Sequence, residues 1–170
     1  MRLKDFTPQA SGQLGVTFIE LLISIAVLAV LVALAAPYFG NYIERQRLVG
    51  ATEALHGQIQ QAKRAAISNN KTIYLQVSNG ANWASVYGDT NPPAGEVNGL
   101  PVLDVDSEDY PTTEVATSVT IAFEKPGLNT NVSGSLAVGS PSGWKVIVSL
   151  SPIGRVEICS DDVSQYPDCP

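Results

Sequence analysis

The sequence predicts an α+β protein: a long N-terminal α-helix, transmembrane in its first half and amphipathic in its second, packed on a mostly antiparallel β-sheet head. Two observations carry this. Apolar residues concentrate between positions 16 and 43, where Glu20 is the sole charged residue. Past Asn69 and Asn70 the apolar pattern changes from a period near 3.6 to the alternation of strands. Length agrees, since 170 residues hold one modest domain of roughly 100 to 130 residues and an added segment.

The apolar segment comes first. Between Glu20 and Glu44 lie about two dozen uncharged residues, which at 1.5 Å per residue span roughly 35 Å and cross a bilayer core. A secretory signal peptide has an apolar run of only about 7 to 15 residues with a small-residue cleavage site at its far end, so this run is too long for one. A single-pass anchor fits the length but gives no reason for Glu20, because a carboxylate deep in lipid costs on the order of 2 to 3 kcal/mol. Two readings of that carboxylate stay open on the residues alone, a functional group or a side chain at headgroup level.

Beyond Pro37 the helical pattern resumes. Leu48, Leu55, Ile59, Ala62 and Ala66 fall on one face, with Arg45, Arg47, Glu53, Gln58 and Lys63 mostly elsewhere. That stripe is a core face for covering a sheet. Pro37 removes a backbone hydrogen bond and crowds the preceding turn, which predicts a bend there.

The head then reads as strands. Residues 71–78 alternate, Asn79-Gly80 is a hairpin signal, and 81–88 return. Residues 89–113 are rich in Pro, Gly and acidic side chains and predict an irregular surface excursion with one short strand at 101–105. Further strands are expected at 118–123, 134–138, 144–150 and 154–159, with Trp83 and Trp144 as core or rim aromatics.

The chemistry of sites is sparse. The net charge is −6, and from residue 45 onward eight Lys or Arg stand against thirteen Asp or Glu, which argues against general nucleic-acid affinity. The acidic run Asp104, Asp106, Glu108, Asp109 lacks the Gly and terminal Glu of an EF-hand and is read as a solvated loop. The sole histidine, His56, has no Cys or paired carboxylates at ligand spacing, so it is read as a helix-surface residue and no metal or cofactor is expected. No Ser-His-Asp set, phosphate loop or acid pair suggests an enzyme. Cys159 and Cys169 flank an acidic, Pro-containing loop and are read as a disulfide, which requires an oxidising compartment.

The order Gly15, Val16, Thr17, Phe18, Ile19, Glu20, Leu21, Leu22 resembles the class III prepilin signature of type IV pilins and pseudopilins, and Pro37 falls where that family carries a helix-bending proline. Val16 departs from the usual Phe, and Arg2 and Lys4 lie farther from the Gly than is common. The resemblance implies a leader over 1–15, cut after Gly15 by a prepilin peptidase that methylates Val16. It also implies a transmembrane and filament-core helix over 16–44 and a periplasmic or extracellular head over 45–170. Glu20 would then pair, in filament assembly, with a subunit's charged N-terminus in a low-dielectric core. The implied partners are other pilins or pseudopilins, the peptidase and the inner membrane before assembly.

Two weaker phrases resemble the grouping of FimT-like and FimU-like minor pilins and GspH pseudopilins: Phe123 to Gly127, and Ser151 to Arg155 with Gly154 before Arg155. The resemblance implies a minor pilin of a type IV pilus acting in assembly and priming, with a GspH-like pseudopilin of type II secretion or a filament-borne adhesin or DNA receptor as alternatives. Some FimT-like pilins hold DNA with Gly-Arg-x-Arg. Here Glu157 replaces the second Arg, which argues against direct DNA binding.

Overall fold

The structure, a computed structural model, describes residues 15–125, 129–131 and 133–170 and, at 36–38, the helical backbone alone. The chain divides into two compact units, Met1–Phe39 and Gly40–Pro170. Helix α1, Phe18–Asn69, contributes to both, and its assignment runs through position 37 without a break. Asn70 ends it in the left-handed region at φ 50°, the conformation with which Asn or Gly closes a helix. The predicted stop at Asn69 and Asn70 is where the helix stops.

In the first unit, Phe18–Ala35 has a mean hydropathy of 2.8 and none of it is buried. Apolar side chains point outward all round it, from Phe18 and Ile19 through Leu28 to Leu34. A helix that is apolar on every face has no solution in water and requires lipid or other protein around it.

The second unit has its own core. Among the described residues, eleven strands follow α1: β1 (Ile73–Val77), β2 (Ala84–Gly88), β3 (Glu96–Val97), β4 (Leu100–Pro101), β5 (Val105–Asp106), β6 (Glu114–Val115), β7 (Val119–Glu124), β8 (Asn129–Thr130), β9 (Gly134–Gly139), β10 (Lys145–Leu150) and β11 (Val156–Cys159). The expected single sheet is instead two larger sheets, ordered β5-β2-β1-β7-β8 and β11-β10-β9-β6, with β3-β4 as a separate pair. Every strand pairing among the described residues is antiparallel. Leu48, Leu55, Ala62 and Ala66 are fully buried and Ile59 nearly so, packed with Ile73, Leu75 and Val77 of one sheet and Val138, Val146 and Val148 of the other. One helical stripe thus serves both sheets, and the α+β class stands.

Gln58 corrects the helical reading. It is 2 % exposed, because positions 51, 55, 58 and 62 recur at the three- and four-residue spacing of a single face. Its amide nitrogen donates to the carbonyls of Ser85 at 2.8 Å and Leu103 at 3.1 Å.

The hairpin β1-β2 forms, but Asn79-Gly80 does not close it as a two-residue turn. The connection spans 78–83, and Gly80, at φ 93°, exchanges both backbone hydrogen bonds with Val115 of β6. The loop therefore reaches the other sheet. Trp83, expected within the returning strand, lies before it and is fully buried. Its indole donates to Thr113 Oγ1 at 3.0 Å, and Thr113 donates on to the Tyr110 carbonyl at 2.6 Å. The Trp83 ring also stacks on Tyr110 with centroids 6.3 Å apart. Burying so large a ring and satisfying its N–H is what lengthens the loop.

The tight turn sits at the chain's other Asn-Gly pair. Asn98 and Gly99 have φ of 55° and 74° between Val97 and Leu100, the positive pair that a two-residue hairpin of the favoured twist demands. The single strand expected at 101–105 is replaced by the short pieces β4 and β5. The excursion is also less free than its composition suggests: Trp83 and Gln58 hold it from the core side. Tyr110 lies so near Gly50 that a Cβ there would meet its ring at 3.0 Å.

Replacing Leu55 with Ala in this core is expected to destabilise the head by about 2 to 5 kcal/mol, whereas Leu100→Ala at the exposed excursion stays within about 0.5 kcal/mol. Denaturant unfolding of the purified chain in detergent checks both.

Candidate functional site

The leading turn of α1 is built by Thr17. Its side-chain oxygen accepts the Glu20 N–H at 3.3 Å and its carbonyl accepts the Leu21 N–H at 3.1 Å, so Thr17 is the N-cap and Glu20 the third helical residue. Thr-x-x-Glu is the spacing of a capping box, of which this is the Thr half. The carboxylate also stands in the first turn, where the helix macrodipole favours negative charge. Sequence reasoning found Glu20 as an isolated charge but passed over Thr17, and the Thr-x-x-Glu spacing was the signal for it.

Gly15, Val16 and Thr17 precede the helix and are exposed. Val16 is followed at once by the cap, so a chain beginning there would carry its amino group at the helix entrance. Residues 1–14 of the expected leader lie outside the described residues. At Pro37 the backbone is helical.

In the second unit, side chains tie the helix base to the β9–β10 turn and to the C-terminal segment. Both Glu44 carboxylate oxygens are used by Ser142, whose N–H and hydroxyl each donate at 2.8 Å. Arg45 donates to Ser164 Oγ at 2.9 Å, and Tyr166 donates its phenol to Glu53 at 2.8 Å. Burial and then the Glu53 carboxylate push the Tyr166 hydroxyl well above the usual tyrosine range.

Cys159 and Cys169 form a disulfide. The segment it closes is bonded internally, Cys169 N–H donating to Asp161 at 3.0 Å and Ser160 N–H to the Pro167 carbonyl at 2.9 Å, and is joined to β10 by Lys145 N–H, which donates to Asp162 at 2.9 Å. Asp161 and Asp162 thus serve as acceptors for backbone donors.

The second family phrase is a turn. Ser151 Oγ accepts the Arg155 N–H at 3.0 Å, Gly154 adopts φ 70°, and Lys63 donates to the Gly154 carbonyl at 2.9 Å. Glycine suits the left-handed position, which gives that residue a structural reason. Arg155 itself pairs with Glu157 at 2.8 Å, both side chains well exposed. Of the first phrase, Phe123 is buried in the core and Gly127 lies outside the described residues.

With this geometry in view, the comparisons with known proteins are specific. The family described as type II transport protein GspH matches residues 51–154, more than half of the chain. The chain belongs to the GspH family. The prokaryotic N-terminal methylation motif matches residues 10–36, which covers Gly15, Val16 and Glu20. This GspH-family chain is therefore a type IV pilin or pseudopilin precursor with an apolar, membrane-anchoring N-terminal helix, and its families are structural rather than enzymatic. It is also 26% identical over 118 residues to a mouse (Mus musculus) C4b-binding protein, covering 64% of this chain and 24% of that protein. The chain thus spans about a quarter of the length of that curated relative, and a likeness at this identity assigns it to no further family. No solved structure matches.

Because Tyr166 holds its proton more tightly folded than unfolded, its contribution to stability is complete below the ordinary tyrosine value near about 10 and is lost as pH rises above it. Unfolding curves between neutral pH and about 11 are expected to show stability falling across that alkaline window. The fall should be shallower in Tyr166→Phe, with Tyr87, also raised by burial, supplying the remainder.

Proposed function

We propose that the chain is cut between Gly15 and Val16, methylated at Val16, and built as a minor subunit into a type IV pilus, where it helps assembly and priming through its N-terminal helix. The observation that supports this most is the wholly unburied apolar helix Phe18–Ala35 with Glu20 in its first turn. In lipid that helix is soluble and the carboxylate sits near one end. In a filament core the same surface packs against neighbouring helices, and Glu20 accepts a subunit's charged N-terminus.

The two stages differ in what they require of Glu20. Insertion needs only the apolar length, and a carboxylate close to the helix start hinders it little. Assembly needs a register between helices that are otherwise featureless, and an ion pair in a low-dielectric core is strongly sensitive to the loss of one partner. Pro37 would bend the helix between the two uses, and the disulfide-closed tail keeps the head's C-terminus in place after export to an oxidising compartment.

A second reading has its own support. The description of the matched family names type II transport, which favours a pseudopilin in a short periplasmic filament over an external pilus. Both readings use the same helix chemistry and place the head outside the inner membrane. For direct DNA contact, Arg155 is already opposed by Glu157, and the head's net negative charge repels phosphate.

Glu20→Ala is expected to leave membrane insertion at wild-type level and reduce recovery in the sheared or pelleted filament fraction by about tenfold or more, the scale of removing one partner from a buried charge pair. Quantitative immunoblots of the membrane and filament fractions measure it. Equal recovery of mutant and wild type in filaments would remove Glu20 from assembly.

A further inference from the structure

The segment that follows β11 has two parts, held in different ways. The first, 160–163, is fastened to the core. Val163 is 1 % exposed and belongs to the core cluster. The Ser160 hydroxyl donates to the Lys145 carbonyl and accepts the Asp162 and Val163 N–H groups at 3.2 and 3.0 Å. None of these contacts involves a sulfur atom.

The second part, 164–170, lies on the surface, with only Tyr166 and Cys169 half-buried. Its backbone is held by the Tyr166 N–H on the Val163 carbonyl at 3.0 Å, the Ser160 N–H on the Pro167 carbonyl at 2.9 Å and the Cys169 N–H on Asp161 at 3.0 Å. Hydrogen bonds open to water add little net stability, and a surface terminus held by them alone frays. The bond from Cys169 back to Cys159, ten residues away, restrains this part by removing the open conformers of the loop.

From within the closed loop two side chains reach α1. Ser164 Oγ accepts from Arg45 at 2.9 Å, and the Tyr166 hydroxyl donates to Glu53 at 2.8 Å. Arg45 and Glu53 stand about 12 Å apart along the helix at 1.5 Å per residue. The loop therefore grips α1 at two separate points, and Tyr166 packs against the core cluster between them and the sheets.

We propose that residues 164–170 form a redox-dependent strap: closed by the disulfide it clamps α1 at Arg45 and Glu53, and on reduction it releases α1 while 160–163 and the sheets stay folded. The reductant is a dithiol. One of its thiolates attacks a sulfur of the Cys159–Cys169 bond, and the other protein sulfur leaves with the electron pair and takes up a proton. The second sulfur of the dithiol then displaces the first protein sulfur, which is protonated in turn, so both cysteines end as thiols and the dithiol as a disulfide. The strap belongs to the head alone and does not depend on the filament reading.

Hydrogen exchange of the full chain in detergent, read by mass spectrometry, tests it. Cys159→Ser/Cys169→Ser is measured beside chemical reduction, so that loss of the bond is certain. Without the disulfide, peptides over 164–170 are expected to exchange about tenfold faster or more and those over 45–53 of α1 about threefold faster, with β1, β7 and β10 unchanged. Ser164→Ala/Tyr166→Phe removes both grips but keeps the disulfide and the aromatic ring. In that variant 45–53 already exchanges fast, and reduction adds nothing further there. Exchange at 45–53 that ignores loss of the disulfide overturns the clamp. Equal acceleration of β1, β7 and β10 overturns the strap as a local device, because the disulfide then holds the whole head. A double variant that responds to reduction as strongly as the unsubstituted chain removes Ser164 and Tyr166 as the link and overturns the inference as well.

Discussion

Everything in this protein is arranged around an apolar helix that water cannot accommodate. From Phe18 to Ala35 there is no polar face and no burial, so the segment is stable only in lipid or against other protein. Its sole charge is at its leading turn. That placement is compatible with both environments: near the end of a membrane span a carboxylate can reach polar groups, and in a polymer of such helices it is the one strong directional acceptor available. The Thr17 cap and the helix dipole stabilise the turn that carries it.

The head answers a different constraint. Two sheets and a small hairpin are held by a single helical stripe, so α1 below Gly40 is the common wall of the core. The ties from Glu44 to Ser142, and from Arg45 and Glu53 to Ser164 and Tyr166, fix the base of that wall to the β9–β10 turn and to the C-terminal segment. The Cys159–Cys169 disulfide closes the C-terminal segment on itself. The excursion 89–113 carries exposed apolar tips at Leu100 and Leu103, and one of its carboxylates, Asp89, pairs with Lys71 at 3.2 Å.

Much of this was legible from the residues. The apolar segment, the helical stripe, the helix stop and the later strands each follow from a local pattern, and local patterns are what a sequence displays. The division into two sheets was not legible, because it depends on Gly80 bonding to Val115, a contact between residues far apart in the chain. The two Asn-Gly pairs illustrate the limit. Both carry the same turn chemistry, yet only Asn98-Gly99 forms the tight hairpin, since Trp83 must be buried beside the other. Gln58 escaped for a similar reason: its polarity suggested solvent, while its position placed it on the buried face. Of the candidate site, Glu20 was visible as a charge out of place, and its cap was visible only as a spacing.

The central claim is that the helix begins life as a membrane segment with a leader and is released for assembly at Gly15. Intact-mass and N-terminal peptide spectrometry of the chain recovered from its native host tests that directly. The account requires a mature chain that starts at Val16 with one methyl group on its amino nitrogen. A chain that retains Met1 and its leader in assembled filaments, or one cut beyond Glu20, would contradict it.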